Sequence, residues 1–174
     1  MSATFKPLFD STQSAFKLEP EKAAATFQAT SRQAEGLRSE VKIRQFSLTV
    51  DEPEVLGGQD SGPNPVELIL GALATCQEIT YRLYADALDI PLDGVAVTVT
   101  GDLDLRGFFA VDDQVRPGFT AIRTEVALDS PASEAEIERL KATVNKHCPV
   151  LDILQNATPV SLEVTDGRPA VAAE

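Results

Sequence analysis

The chain has 174 residues, 43% hydrophobic and 24% charged, the composition of one ordinary globular domain with apolar material for a real core. Its net charge of -12 gives a surface that repels phosphate backbones and anionic headgroups, so neither nucleic acid nor a membrane surface is an expected partner. No apolar run spans a bilayer and residues 1–10 lack a signal-peptide core, so a cytoplasmic location is expected, where two cysteines stay reduced rather than forming a structural staple.

Residues 1–22 carry Phe5, Leu8, Phe9, Phe16 and Leu18 between Pro7 and Pro20, and read as a helical N-terminal appendage. The main domain is expected over 23–166, with a flexible tail over 167–174. Residues 24–50 read as strands. Phe46, Leu48 and Val50 alternate with polar residues, whereas Val41 and Ile43 hold the opposite phase. A bulge or turn at Arg44-Gln45 reconciles the two. A loop rich in Gly, Pro and acids follows, over 52–63.

Asn64 is placed to cap a helix that has Pro65 in its first position. Residues 66–75 are so apolar that this helix must be buried nearly all round, and a subunit interface would supply the cover, so a dimer is expected. Farther along, Glu78, Arg82, Asp86 and Asp89 form a wet stripe. Val95, Val97, Val99, Leu103 and Leu105 mark one face of a long strand. It pairs, across the 107–118 loop, with a second strand carrying Ile122, Val126 and Leu128 inward. Ser133 and Glu136 make a capping box for a helix that buries Ile137, Leu140 and Val144. Pro149 ends that helix and starts a shorter one through Leu154. Val160, Leu162 and Val164 suggest a last strand, and the whole order gives an α+β domain.

Two sulfurs dominate the candidate chemistry. Cys148 precedes Pro149, so it caps the short helix, where unpaired N–H groups and the positive end of the dipole favour a thiolate; a merely buried cysteine is the competing reading. Cys76 shares a helix face with Ile69, Leu73, Thr80 and Leu83, surroundings that raise a thiol pKa unless a cation approaches. Arg32, Arg38 and Arg44 are available for that, and spacing chooses none of them. His147 reads as structural rather than as a base. With a single histidine and no CxxC or HExxH spacing, no metal site is expected, and no cofactor either, since the phosphate-binding glycine motifs are absent. Acidic runs at Asp51-Glu52 and over 134–138 read as solvated faces.

Two blocks resemble the OsmC/Ohr family, whose members reduce peroxides through a reactive cysteine. One is Gly62-Pro63-Asn64-Pro65-Val66-Glu67-Leu68 running on to Cys76; the other is His147-Cys148-Pro149-Val150 with Asn156-Ala157-Thr158-Pro159-Val160 after it. The resemblance implies an OsmC-like fold, an intertwined homodimer with central helices packed against curved antiparallel sheets. It also implies that Cys76 attacks a hydroperoxide, that Cys148 resolves the product as a disulfide, and that a cellular dithiol reductant restores both thiols, in oxidative-stress defence. The family adds an arginine from the N-terminal strands, held by a glutamate at the start of the central helix. Arg38 matches the arginine best, with Arg44 second. The family's acid position falls on Val66 here, and Glu67 is displaced by one residue, about 100° around a helix. An OsmC-like protein that binds a small apolar or thiol ligand, with little or no turnover, is the alternative.

Overall fold

The computed structural model of the protein describes residues 4–165. Its elements, in chain order, are α1 (Lys6–Leu18), β1 (Thr30–Gln33), β2 (Ser39–Ile43), β3 (Phe46–Val50), α2 (Pro65–Ala87), β4 (Gly94–Leu103), α3 (Leu105–Phe108), β5 (Phe119–Asp129), α4 (Glu134–His147) and α5 (Pro149–Gln155). Short 3-10 turns lie at Pro20–Ala23 and Glu54–Leu56. The class is α+β. The expected tail over 167–174 lies outside the described residues. Among the described residues no helix is long and apolar enough to cross a membrane.

β1, β2 and β3 form an antiparallel meander, and β4 pairs with β5 in a separate hairpin. The change of phase between Ile43 and Phe46 is a two-residue turn: these residues face each other across the ladder, and Arg44 takes φ +56°. Residues 24–29, expected to be extended and paired, lie outside any strand. Along β4, Val95, Val97, Val99 and Leu103 are half-buried while Ala96, Thr98, Thr100 and Asp102 between them are exposed. The strand stops one residue before Asp104, whose side chain caps α3, so Leu105 opens a helix instead of continuing the strand face. Gly101 lies under the Phe119 ring, and a Cβ there would sit 2.5 Å from it.

α2 crosses the β4–β5 hairpin and packs against α4 and α5. Tyr81 and Ala85 of α2 meet Leu140 and Val144 of α4, with Ile90 and Leu92 closing the cluster below the hairpin. Leu140 is wholly buried and sits at the centre of this small core. Leu140→Ala is expected to lower unfolding free energy by about 2–5 kcal/mol, read from denaturant midpoints, because a methyl in that place leaves a cavity.

The apolar start of α2 is not covered by its own chain, Ile69 being 40% exposed, so the cover expected for it is left to a subunit interface. Two expectations need correction. The strand expected from Val160, Leu162 and Val164 does not form, and these side chains are 80–93% exposed. Alternation fixes which face is apolar, but a strand also needs a neighbouring edge for its N–H and C=O groups, and the described residues bring none to it. Finally, Asp51 is no part of a solvated acidic face. It is 2% exposed and accepts hydrogen bonds from the Glu52, Gln59 and Ser61 N–H groups and the Ser61 hydroxyl. The Ser61 hydroxyl leads in holding its carboxyl below the usual carboxylate range. Asp51 thereby folds the loop that hands the chain from the meander to α2.

Candidate active site

α2 begins where Asn64 leaves an extended conformation. Its side chain accepts from the Glu67 N–H at 2.9 Å, and the Glu67 carboxylate accepts from the Asn64 N–H at 2.8 Å. This reciprocal box satisfies two of the N–H groups a helix start leaves unpaired. Three turns on, Cys76 points between α2 and the junction of α4 with α5. The junction is sharp because Pro149 cannot continue α4: Cys148 ends one helix in an extended conformation, φ -76° and ψ 113°, and caps the next.

The Cys148 thiol donates to the Cys76 sulfur across 3.4 Å, although 72 residues separate them. Both are free thiols, Cys148 buried and Cys76 half-buried. Burial pushes the Cys76 thiol up; the Val150 N–H opposes this, Cys148 adds to the rise, and the Thr80 hydroxyl opposes it again. The Thr80 hydroxyl also binds the Cys76 carbonyl at 2.6 Å, a common use of threonine within a helix. The position of Cys148 before Pro149 points the first turn of α5 at the Cys148 sulfur. The Val150 N–H of that turn instead faces the Cys76 sulfur. The Cys148 side chain makes no cap hydrogen bond to its own helix.

Cys76 lines a cavity of about 520 Å³ with Phe9, Ile79, Leu83, Tyr84 and Val150 among its walls. His147 borders it too, stacked on Tyr84 with ring centroids 5.4 Å apart and planes at 22°. No arginine is among the residues lining it. Arg38 lies at the head of β2; its Nε is buried without a hydrogen-bond partner among the described residues, the nearest carboxylate oxygen being Glu40 Oε1 at 3.7 Å. Arg44 lies over the Phe46 ring, 5.2 Å from its centroid, in the hairpin turn. Arg32 borders a groove with Glu40 and Lys42. Within one chain, then, the two sulfurs are brought together, whereas Arg38 and Glu67 do not pair with each other. Among the described residues no group of three His, Cys, Asp or Glu side chains converges as a metal site would require.

A family described as OsmC-like protein matches residues 58–163, a span that runs from the loop before α2 through both cysteines. The chain belongs to the OsmC-like family. A hydroperoxide reductase of Mycoplasma pneumoniae is 28% identical over 123 residues, covering 69% of this chain and 80% of that protein. The crystal structure of an OsmC-like protein from Mycoplasma pneumoniae superposes with a TM-score of 0.66 at 26% identity, over 76% of this chain and 89% of the other. An organic hydroperoxide resistance protein OsmC from Legionella pneumophila shares the fold, with a TM-score of 0.59 at 22% identity over 75% and 90% of the two chains. The OsmC-like match begins after the meander and α1. The N-terminal helix that borders the Cys76 cavity is thus an addition to the part that the family description covers.

Proposed function

We propose that this OsmC-like protein is a cysteine-based hydroperoxide reductase of oxidative-stress defence, working as a homodimer in the cytoplasm through the domain over 23–166. The 3.4 Å approach of Cys148 to Cys76 at an apolar cavity is the observation that carries the reading. In the first step the Cys76 thiolate attacks the terminal oxygen of a hydroperoxide. The O–O bond breaks, the departing alkoxide takes a proton and leaves as an alcohol, and the sulfur becomes a sulfenic acid. In the second, the Cys148 thiolate attacks that sulfur and hydroxide leaves, protonated to water. The sulfurs need only close from 3.4 Å to the roughly 2.0 Å of a disulfide. A cellular dithiol then supplies two electrons and two protons, becoming a disulfide itself.

Arg38 of a second copy is the cation this reading requires, stabilising thiolate and departing oxyanion. Two features support a second copy: the Arg38 Nε, buried without a hydrogen bond among the described residues, and the apolar side chains of Ile79, Val160, Leu162 and Val164, which one chain leaves in water. Glu67 is assigned to the arginine-holding role only if its carboxylate exchanges the helix cap for the guanidinium.

The position of Glu67 also favours a second reading, a binding protein for an apolar or thiol ligand. With Val66 at the acid position and Glu67 engaged at Asn64, Glu67 holds no arginine among the described residues. One experiment separates the two. After a single equivalent of cumene hydroperoxide, peptide mass spectrometry should find Cys76 linked to Cys148. Two reduced thiols in protein that still binds the organic compound would establish the binding reading instead.

A further inference from the structure

We infer that α1 is the outer wall of the thiol cavity and that Phe9 is the residue that selects the organic part of the hydroperoxide. This rests on the peroxidase reading of the same cavity and adds a determinant that lies outside the residues matched by the family, 58–163.

The appendage is fixed to α2 and to the turn that follows it at three successive points. The Phe5 N–H donates to the Asp86 carboxylate at 2.7 Å, Lys6 pairs with Asp89, and Phe9 meets Tyr84 edge to face, centroids 5.2 Å apart and planes at 69°. Asp86 and Asp89 belong to the stripe that sequence alone assigns to water, so the stripe is in part a docking strip for α1. These anchors set the rotation of the helix. Phe9 turns inward to line the cavity beside Cys76, while Leu8, Phe16 and Leu18 remain exposed. A row of rings results: Phe9 against Tyr84, and Tyr84 stacked on His147, the neighbour of Cys148.

Chemically, the cavity offers a hydroperoxide a sulfur at one side and an aromatic face at the other. An aryl or branched alkyl group reaching Phe9 leaves water and gains an aromatic contact. Hydrogen peroxide has no such group and gains nothing from the wall. Phe9 therefore weights the enzyme towards organic hydroperoxides with bulky apolar substituents, without touching the reacting atoms.

The test uses full-length wild type, Phe9→Ala, Phe9→Leu and, as a control on the outer face, Leu8→Ala. Two ratios are read: kcat/KM for cumene hydroperoxide over hydrogen peroxide, and the rate of Cys76 alkylation by N-phenylmaleimide over N-methylmaleimide, located by peptide mass. Phe9→Ala is expected to lower both ratios about tenfold. Phe9→Leu keeps an apolar side chain against Tyr84 and should stay within about threefold of wild type, while Leu8→Ala moves neither ratio. Unchanged ratios in Phe9→Ala, or an equal drop in Leu8→Ala, would overturn the assignment. If wild type consumes no hydroperoxide at all, the peroxidase reading fails, and the maleimide ratio still decides whether Phe9 recognises an aryl group.

Discussion

Cys76→Ser is expected to reduce hydroperoxide consumption to the uncatalysed background, while Cys148→Ser should spare the first turnover and stop the cycle there. The difference follows from where each sulfur stands in the reaction. An alcohol is a far weaker nucleophile than a thiolate towards peroxide oxygen and forms no sulfenic acid, so with serine at 76 the first step has no acceptor for oxygen. With serine at 148 the first step survives, but the sulfenic acid meets a hydroxyl instead of the thiol now 3.4 Å away. It then persists, and excess peroxide drives it to sulfinic acid. Trapping with a 1,3-dione and peptide mass spectrometry reads both outcomes. Adduct on Cys76 in the Cys148→Ser protein, and none in Cys76→Ser, is the expected pattern; adduct on Cys148 in the Cys76→Ser protein would reverse the roles.

Much of the frame behind that chemistry is legible in the residues, because it depends on local rules. Asn64 with Pro65, and Ser133 with Glu136, mark the starts of α2 and α4. The two phases of Val41-Ile43 and Phe46-Leu48 require the turn at Arg44. The Asn64–Glu67 box carries the same spacing as the one at Ser133, and that spacing signals where the Glu67 carboxylate goes. What is not legible depends on contacts between distant segments. Cys148 precedes a helix start, yet the Val150 N–H, two residues on, serves the other sulfur, a relation fixed only when α5 packs against α2. Phe9 gives no sign in sequence of reaching a cavity beside Cys76, because its rotation is set by Asp86, Asp89 and Tyr84, roughly 75 residues downstream. The alternation of Val160, Leu162 and Val164 is real, but pairing needs an edge that is not found among the described residues.

Removing Arg38 should cost turnover about 10²- to 10³-fold, the scale of losing one charged donor to a developing oxyanion. Burial leads in pushing the Cys76 thiol up, so the chain by itself keeps this nucleophile protonated near neutral pH, the wrong state for attack. A guanidinium beside it acts in the opposite direction and favours the thiolate. The sign is direct: the thiolate is the deprotonated form, so its fraction, and with it the alkylation rate, grows as pH rises through the pKa. In wild type the rate of iodoacetamide reaction at Cys76 should level off below the ordinary thiol midpoint of about 8.5; in Arg38→Ala it should still be climbing above that pH. Arg38→Lys should recover part of the thiolate fraction but little of the turnover, since an ammonium lacks the planar fork that can hold two oxygens at once. Arg44→Ala, which removes a guanidinium stacked on Phe46, should leave the profile unmoved. Superimposable pH profiles for wild type and Arg38→Ala would mean that no arginine from β2 reaches the sulfur, and a change confined to Arg44→Ala would transfer the role to the hairpin turn.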